Sequence, residues 1–436
     1  MPDPLNGSVR RLYEQQPYPP RNPDDERRRL IETAGDDLDA ISHFGFGGHA
    51  RFDHGFRVLV AGGGTGDSTI YLAEQLRGTG AELVHLDLCS RSIGIARSRA
   101  RARGLRNIEW RQASIESLAD AEADGFDYIN CCGVLHHLPD PDTGLRALAR
   151  VLKPDGLMFL MVYGEAARAP VYQMQQLLRL LTPEHLPLST RLEHTVRLLQ
   201  ALPDSNPLRQ SFALWEHDIE DYGEAGLADL LLHPQDRAYS VTELHDLLLG
   251  QRLELVQFVG AGWMGPVGYD AGALIGDEVL GRQLEKVPAV DRMAIAELLH
   301  ARQTRHQCYV AHRAATADTA SPESVPLLCG ALREHGRRLA RRLSAGREET
   351  VSVEAGGLRI EVRIPPSPAH QLLFRYAGGR HSLAEAHALA REPVGSFDQF
   401  VVELAPVVAD LVRAGLLVMS DRRHLGSACR PLAASA

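Results

Sequence analysis

The stretch Val58-Leu59-Val60-Ala61-Gly62-Gly63-Gly64-Thr65-Gly66-Asp67 joins a buried apolar run to a glycine-rich turn and then to the start of a helix. Glycines at positions 62, 64 and 66 allow a tight turn and let a ligand approach the backbone without a Cβ atom in the way. The helix that follows directs its free N–H groups at that ligand. A dinucleotide fingerprint would require glycine in place of Asp67, and the Gly-Lys-Ser/Thr of a phosphate-binding loop is missing. The sequence therefore predicts a nucleoside-like ligand rather than a dinucleotide or ATP.

Around this loop, short apolar runs alternate with helix-like stretches. The predicted strands are Phe56–Ala61, Glu82–Leu86, Asn107–Arg111, Phe126–Cys131 and Gly156–Tyr163. The predicted helices between them are Asp67–Leu76, Arg91–Arg101 and Pro141–Leu152. This rhythm indicates βαβ units and an α/β fold with a doubly wound, mostly parallel sheet. Leu253–Val259 and Cys308–Ala311 complete a predicted Rossmann-like sheet of seven strands.

Asp87 ends the second predicted strand, about twenty residues beyond the glycine loop. A carboxylate at that point can accept hydrogen bonds from both hydroxyls of a ribose. A helix N-cap or a surface acid is the alternative. Together with the loop upstream, the position favours the ribose interpretation.

Residues 56–164 resemble the class I S-adenosylmethionine-dependent methyltransferases, whose first motif is a G-x-G-x-G turn after strand one. The other landmarks of the family match Asp87, Ala113-Ser114-Ile115 after strand three, Asn130–Leu138 at the end of strand four and Leu152–Leu157 at the turn into strand five. The resemblance implies S-adenosylmethionine as the cofactor and S-adenosylhomocysteine as the product. The cofactor-binding residues that it implies are Gly62, Gly63, Gly64, Gly66, Asp67, Asp87, Leu88, Ser114, Ile115, Asn130 and Cys131.

Two positions depart from the family pattern. Members usually have Asp or Glu two residues before the first glycine, where this chain has Val60. That acid commonly helps to hold the methionine end of the cofactor, so this contact is expected to come from elsewhere. Ser114 stands where Asp is frequent, which weakens the expected bond to the adenine amino group.

In this family the acceptor lies beyond strands four and five, which places His136, His137, Tyr163 and Glu165 near it. The resemblance implies catalytic roles for the two histidines and Tyr163, because a histidine there can orient or deprotonate a nucleophile. The alternative, that one histidine only packs or binds backbone, stays open. No metal is predicted, since adjacent histidine side chains rarely point to the same ion.

The N-terminal run Tyr13-Glu14-Gln15-Gln16-Pro17-Tyr18-Pro19-Pro20 resembles the Tyr-Glu-x-x-Pro-Tyr-Pro segment that precedes this domain in a bacterial methyltransferase subgroup. It is predicted to fold over the cofactor, with Tyr13 and Tyr18 bounding the pocket as substrate-binding residues. A proline-rich arm docked elsewhere on the surface is the alternative.

A polar stretch at 233–239 precedes a helix with the capping-box pair Ser240 and Glu243. Arg237 and Tyr239 in this stretch are candidate acceptor contacts, for example to a carboxylate. An ordinary polar loop with an internal pair between Asp236 and Arg237 is the alternative.

The rest of the chain divides by composition. Residues 1–55 are predicted as an N-terminal helical cap, 56–313 as the cofactor-binding domain with insertions at about 166–250 and 260–306, and 314–325 as a linker. Residues 326–436 are predicted as a basic helix at 326–344 followed by a small α+β domain. That domain weakly resembles a winged helix: two strands within Val351–Ile364, helices near 368–376, 382–390 and 396–414, and a strand at Leu416–Met419.

A formal net charge of −9 argues against nucleic-acid binding over the whole surface, although the basic helix leaves a local patch. Six scattered cysteines form neither a disulfide framework nor a zinc spacing, and so favour a cytoplasmic location. No signal peptide or membrane span is expected. The two insertions indicate an enclosed pocket or a homodimer contact, and both remain open.

The predicted function is methyl transfer from S-adenosylmethionine to an N, O or C nucleophile of a small molecule or peptide. One alternative is a non-catalytic cofactor-binding or regulatory protein, which Val60 favours. A second is a nucleic-acid methyltransferase that binds through the C-terminal domain. Against it, the Asp/Asn-Pro-Pro-Tyr motif is replaced by Asn130-Cys131-Cys132-Gly133.

Overall fold

The computed structural model describes residues 4–120, 124–260, 265–329, 332–355, 358–391 and 393–420. Its strands are β1 (Arg57–Ala61), β2 (Glu82–Asp87), β3 (Ile108–Gln112), β4 (Phe126–Cys132), β5 (Leu152–Gly164), β6 (Ala238–Tyr239), β7 (Glu254–Phe258), β8 (Arg305–Ala311), β9 (Val325–Leu328), β10 (Glu349–Ala355), β11 (Leu358–Ile364) and β12 (Leu417–Ser420).

The α-helices lie between and around these strands. They are α1 (Pro4–Gln15), α2 (Leu38–Gly45), α3 (Asp67–Gln75), α4 (Ser90–Arg103), α5 (Pro141–Val151), α6 (Glu165–Leu181), α7 (Leu188–Ala201), α8 (Pro207–Gln210), α9 (Gly223–Leu231), α10 (Val241–Gly250), α11 (Ala271–Leu274), α12 (Glu278–Leu284), α13 (Ala289–His300), α14 (Leu332–Ser344), α15 (Pro368–Tyr376), α16 (Leu383–Ala388) and α17 (Phe397–Arg413).

The main sheet has the strand order β3-β2-β1-β4-β5-β8-β7, and the short β6 pairs with the end of β5. β1 to β5 are parallel, whereas β8 runs antiparallel to both β5 and β7. The order reverses between β1 and β4, and ligands of open α/β sheets bind at such a switch point, outside the carboxyl ends of the strands. The glycine loop after β1 lies at this edge.

Apolar residues cover both faces of the sheet, as expected for parallel strands enclosed by helices. Along β1, Leu59 and Ala61 belong to one buried cluster with α5 and α10. Val58 and Val60 belong to another, with α2 and α3. A third cluster joins α1 to the insertion helices α6, α7 and α9. The N-terminal segment is therefore part of the packed structure on two sides.

The predicted sheet is confirmed in type, since all seven expected strands are present within a few residues of their predicted bounds. The addition is β6, a two-residue strand too short to be recognised from the sequence. Ser240 caps α10 through the predicted capping box with Glu243, and Ser382 caps α16 in the same way.

The predicted helix at 326–344 is wrong in its first part. Val325–Leu328 is a strand that pairs antiparallel with Leu417–Ser420, and the helix begins only at Leu332. Pairing with a distant strand outweighs the local leucine-rich pattern. The two strands predicted within 351–364 form the antiparallel pair β10–β11, and their turn at 356–357 lies outside the described residues.

The C-terminal part of the chain has a core of its own, to which α14, α15 and α17 contribute. It also contacts the N-terminal segment, because the β9–β12 pair lies against α2 and the amide of Met419 donates to Nδ1 of His43 at 3.0 Å. The likeness of this part to a winged helix, and the domain limits given above, stay predictions. Among the described residues, no helix has the length and apolar character that crossing a membrane requires.

Candidate active site

The glycine loop depends on backbone conformations that other residues rarely adopt. Gly62 and Gly66 have φ values of +74° and +100°. A Cβ atom on Gly62 would collide with the side chain of Val134, and one on Gly66 would lie 2.8 Å from the Cβ of Ala96. The loop therefore holds the backbone of β1, α3 and α4 close together at the switch point, and its glycine amides donate to Leu86, Asp87 and Gly63.

Asp87 lies directly against this loop. One carboxylate oxygen accepts the backbone N–H of Gly64 at 2.7 Å, and the other accepts that of Cys89 at 2.7 Å. Burial raises the pKa of Asp87, although these hydrogen bonds oppose the rise. The N-cap of α4 is Cys89 rather than Asp87, so that alternative is wrong. Each oxygen keeps a lone pair, which leaves the carboxylate able to accept from a ribose.

The residues predicted around the adenine lie at the ends of β2 and β3. Ser114 Oγ accepts from the amide of Glu116 at 3.3 Å. Ile115 is buried, and the carbonyl of Leu88 accepts from Gln112 at 3.2 Å. Ser114 is thus bonded within its own loop, and the weaker adenine contact expected from its replacement of Asp stays a prediction.

The N-terminal arm, residues 13–29, covers the glycine loop through a buried ion-pair network. Arg21 and Arg99 each contact the carboxylate of Asp67 at 2.6 Å, and Arg99 also contacts Glu26 at 2.6 Å. Burial alone would raise the pKa of Asp67, but the hydrogen bond from Arg21 and the charge of Arg99 lower it. The hydroxyl of Thr65 donates to the carbonyl of Pro19 at 2.8 Å. Asp67, predicted as a cofactor contact, thus forms ion pairs with two arginines.

Both arm tyrosines donate to carboxylates of the first insertion. Tyr13 donates to Asp229 at 2.8 Å, and Tyr18 donates to Asp218 at 2.8 Å. Tyr163, at the end of β5, donates to the second oxygen of Asp229 at 3.1 Å. Burial raises the pKa of Asp229 and of both of its tyrosine partners. Asp229 therefore bridges the arm, the insertion and the sheet.

His137 and His233 stack with ring centroids 3.8 Å apart, and their hydrogen bonds define their tautomers. Nδ1 of His137 donates to the carbonyl oxygen of Gln235 at 2.9 Å, so its proton is on Nδ1 and Nε2 carries the lone pair. Nδ1 of His233 accepts the amide N–H of Gln235 at 3.1 Å, so its proton is on Nε2. Burial lowers the pKa of both, and Asp229 opposes this at His137. His137 is therefore a neutral base at neutral pH.

His136 has a different environment. Its ring is wholly buried and stacks on Tyr163 at a centroid distance of 3.8 Å. Neither ring nitrogen has a hydrogen-bond partner in the described part of the chain. Burial, reinforced by the charge of Arg168, lowers the pKa of His136 well below the ordinary value. Of the two predicted histidines, His137 is the one with an oriented lone pair.

The residues predicted for the lid lie in different environments. Asp236 pairs with the buried Arg168 at 3.1 Å, so the alternative of an Asp236–Arg237 pair is wrong. Arg237 pairs instead with Glu243 at 3.1 Å and is largely exposed. Tyr239 is buried in β6, with the guanidinium of Arg237 4.7 Å from the centre of its ring. Glu165 is exposed at the first position of α6. These placements set Arg237 and Glu165 apart from the buried groups around Asp229.

Several residues of the site were missed by the sequence prediction: Arg21, Glu26, Asp36, Arg99, Arg168, Asp218, Asp229 and His233. Asp229 lies in the last turn of α9 and His233 lies two residues beyond its end, where the predicted lid begins, so nearness to that stretch could have indicated them. The buried arginines left no local signal, because their partners are distant in sequence.

One ligand atom from each of His137, Asp229 and His233 lies within 4.8 Å of the other two, a grouping that could hold a metal ion. The hydrogen bonds favour another role. His233 uses its only lone pair to accept from Gln235, and Asp229 accepts from two tyrosines. The described geometry therefore fits proton transfer better than metal binding, and the absence of a metal stays a prediction.

The sequence is similar to known methyltransferases in its central part. Residues 58–156 match a methyltransferase domain family. An uncharacterized protein from Synechococcus sp. (strain ATCC 27144 / PCC 6301 / SAUG 1402/1) is 33% identical over 261 residues, which are 59% of this chain and 61% of that protein. The ubiquinone biosynthesis O-methyltransferase of Paracidovorax citrulli is 35% identical over 115 residues, 26% of this chain and 47% of that enzyme. The chain thus spans less than two thirds of these relatives.

The similarity in fold covers more of the chain than the similarity in sequence does. PKMT2 from Rickettsia typhi in complex with AdoHcy is similar over 93% of this chain and 77% of that chain, with a TM-score of 0.60 and 16% identity. A second structure of PKMT2 gives a TM-score of 0.56 at 17% identity. At these identities the likeness shows a shared fold. The domain match supports S-adenosylmethionine as the cofactor and S-adenosylhomocysteine as the product, and the strand order is consistent with the fold of class I methyltransferases.

Proposed function

We propose that this chain transfers a methyl group from S-adenosylmethionine to a nucleophile of a small molecule or peptide, with His137 as the base. The observation that carries the proposal is the neutral, oriented His137 beside the Tyr13–Asp229–Tyr163 bridge. These groups lie at the carboxyl ends of β4 and β5, the edge to which the glycine loop also belongs.

The residues at this edge fit the cofactor. The glycine loop makes a tight turn at the switch point, α3 directs its N-terminus there, and Asp87 keeps acceptor capacity for a ribose. The sulfonium of the bound cofactor supplies an activated methyl group. The chain then has to orient the acceptor, exclude water and remove a proton where the acceptor carries one.

The side chains around His137 suit those tasks. Its Nε2 lone pair accepts the proton of an acceptor hydroxyl or nitrogen, while Nδ1 stays bonded to the carbonyl of Gln235. The negative charge of Asp229 favours the imidazolium that results. Tyr13 and Tyr18 close the arm over the edge and limit the access of water. A base of this kind serves N and O acceptors more directly than C acceptors.

The alternatives draw less support. Two arginines of the basic helix α14 already form ion pairs, as Arg342 contacts Glu349 at 2.7 Å and Arg333 contacts Asp39 at 3.8 Å. These pairs reduce the positive charge that α14 offers to a nucleic acid. The non-catalytic alternative leaves the oriented His137 without a role. The cytoplasmic location, a homodimer contact and the role of the C-terminal part remain proposals.

The test has two stages. Calorimetric titration of S-adenosylmethionine and S-adenosylhomocysteine into wild type and Asp87→Ala should give micromolar binding, weakened in the variant by about 1.5–3 kcal/mol, as for bonds to a charged acceptor. Label from methyl-labelled S-adenosylmethionine should then enter a fraction of a host extract with wild type and not with His137→Ala. Absence of binding to wild type would refute the proposal, and equal labelling by both proteins would remove His137 from it.

A further inference from the structure

Position 60 lies in register with Asn130. The two residues are Cα partners on the parallel strands β1 and β4, so their side chains emerge on the same face of the sheet. Val60 is 1% exposed and Asn130 is 2% exposed. An acid at position 60 would therefore place its carboxylate beside the side-chain amide of Asn130. With Val60, residue 60 supplies no carboxylate there.

Asp36 fills this place from another part of the chain. Its Oδ1 accepts from Nδ2 of Asn130 at 2.8 Å and from the hydroxyl of Tyr128 at 2.9 Å. Its Oδ2 accepts from the hydroxyl of Thr33 at 2.6 Å. Ser68, in the first turn of α3, also hydrogen-bonds the carboxylate. Asp36 thus links the end of β4 to the helix that follows the glycine loop.

The charge of Asp36 is held without a cation. Its side chain is wholly buried, and none of its contacts in the described ranges is to an arginine, lysine or histidine. Burial raises the pKa of Asp36, although its hydrogen bonds oppose the rise. Of the other acids at this edge, Asp67 has two arginine partners and Asp87 has two backbone amides. A buried carboxylate in such a state favours a nearby positive charge.

The bond to Asp36 also orients Asn130. Because Nδ2 donates to the carboxylate, the amide oxygen of Asn130 faces away from Asp36 and can accept from a ligand. The amino-acid end of S-adenosylmethionine carries a primary ammonium, which needs such acceptors and a negative charge behind them.

We propose that Asp36 supplies the carboxylate that position 60 lacks and, as a positioning residue acting through Asn130, holds the ammonium at the amino-acid end of the cofactor. This inference rests on the proposed function. It also explains how the chain can bind the cofactor with valine at position 60, since the N-terminal segment supplies the acid instead of the first motif.

The experiment compares two ligands by calorimetry. S-Adenosylhomocysteine carries the amino-acid end, and 5′-methylthioadenosine has the same nucleoside without it. Asp36→Asn should weaken S-adenosylhomocysteine binding about tenfold or more and change methylthioadenosine binding less than about twofold. The matched control is Asp270→Asn, an acid at the start of α11, which should change neither.

Relocation of the acid gives a second readout. Val60→Asp in the Asp36→Asn background should restore S-adenosylhomocysteine affinity to within a few-fold of wild type, because residue 60 faces the same amide. Val60→Asp alone should destabilise the protein, since two buried acids then share one site.

The outcomes separate the two proposals. If wild type binds neither ligand, the proposed function itself fails. If wild type binds but Asp36→Asn binds both ligands as wild type does, or weakens both equally, the role of Asp36 is wrong and the proposed function stands. Failure of Val60→Asp to restore binding in a folded double variant, judged by its thermal unfolding, also overturns the inference.

Discussion

The hydroxyl of Tyr13 donates to a carboxylate oxygen of Asp229 at 2.8 Å, although the two residues are 216 positions apart in the chain. The other oxygen of the same carboxylate accepts from Tyr163 at 3.1 Å. One buried acid therefore fastens the N-terminal arm and the first insertion to the end of β5. Because His137 lies beside this bridge, the closed position of the arm and the charge at the base depend on the same group.

Removal of the Tyr163 hydroxyl should slow methyl transfer and spare the cofactor. In Tyr163→Phe, Asp229 loses one of its two tyrosine donors, and a hydrogen bond to a charged group is worth about 1.5–3 kcal/mol. We expect kcat/KM to fall about tenfold to a hundredfold with S-adenosylhomocysteine affinity unchanged. Tyr376→Phe, in α15, is the matched control and should keep wild-type kinetics. A cofactor affinity that falls in parallel with kcat/KM would contradict this role.

The pH dependence of kcat/KM should follow the protonation of His137. Burial lowers its pKa, so the base form persists below the ordinary value of about 6.5, and the acid limb of kcat/KM should lie below that pH. The charge of Asp229 raises the pKa of His137. Asp229→Asn removes that charge and should therefore move the limb to still lower pH, together with a lower maximum rate. A limb that moves to higher pH would exclude His137 as the titrating base.

The ion pairs beneath the arm should be costly to break. Arg99 is 1% exposed and contacts both Glu26 and Asp67. Arg99→Met leaves these acids with fewer cations, and removal of one partner of a buried pair costs about 3–5 kcal/mol. Urea unfolding should show a loss of that size, whereas Arg101→Met, an exposed change on the same helix, should stay within about 0.5 kcal/mol. Similar midpoints for the two variants would mean that the network contributes little.

The free energy of unfolding should fall as the pH drops below about 6.5. Burial lowers the pKa of His43 to about 4, and its Nδ1 accepts from Met419. As the pH falls, the unfolded chain therefore binds a proton on His43 before the folded chain does. The full stability is present above the pKa of His43 in the unfolded chain. Between that pKa and the lower pKa in the folded chain, the free energy of unfolding falls by about 1.4 kcal/mol per pH unit.

A matched variant isolates this residue. His43→Asn keeps an acceptor for the Met419 amide and does not titrate, so its stability should depend less on pH than that of wild type. Other buried histidines, such as His85 with its pKa lowered to about 3, act in both proteins alike. Equal pH dependence of the two urea-unfolding series would show that His43 does not contribute.

The sequence predicted the sheet and its switch point well, because both depend on local patterns, while the binding of the cofactor there stays a prediction. Apolar runs at regular spacing indicate buried strands, and the glycine loop with Asp87 indicates the switch point between β1 and β4. His137 and Tyr163 were proposed for the same reason, since His137 follows β4 and Tyr163 lies at the end of β5, and their catalytic roles stay predictions.

What the sequence did not predict depends on contacts between distant segments. Asp36 lies in a polar loop, and nothing nearby indicates that it reaches Asn130, 94 positions later. β9 has a helix-like leucine pattern, and only its pairing with β12 makes it a strand. Arg237 was the obvious cation of the predicted lid, whereas the buried cation is Arg168, inside an ordinary amphipathic helix.

The pairing of β9 with β12 brings together the strand that precedes the C-terminal helices and the strand that follows them. Both lie on α2, whose N-cap Asp37 comes directly after Asp36. Because Asp36 is joined to Asp37 at the start of α2 by one peptide bond, the position of its carboxylate beside Asn130 depends on how the C-terminal strand pair packs on that helix.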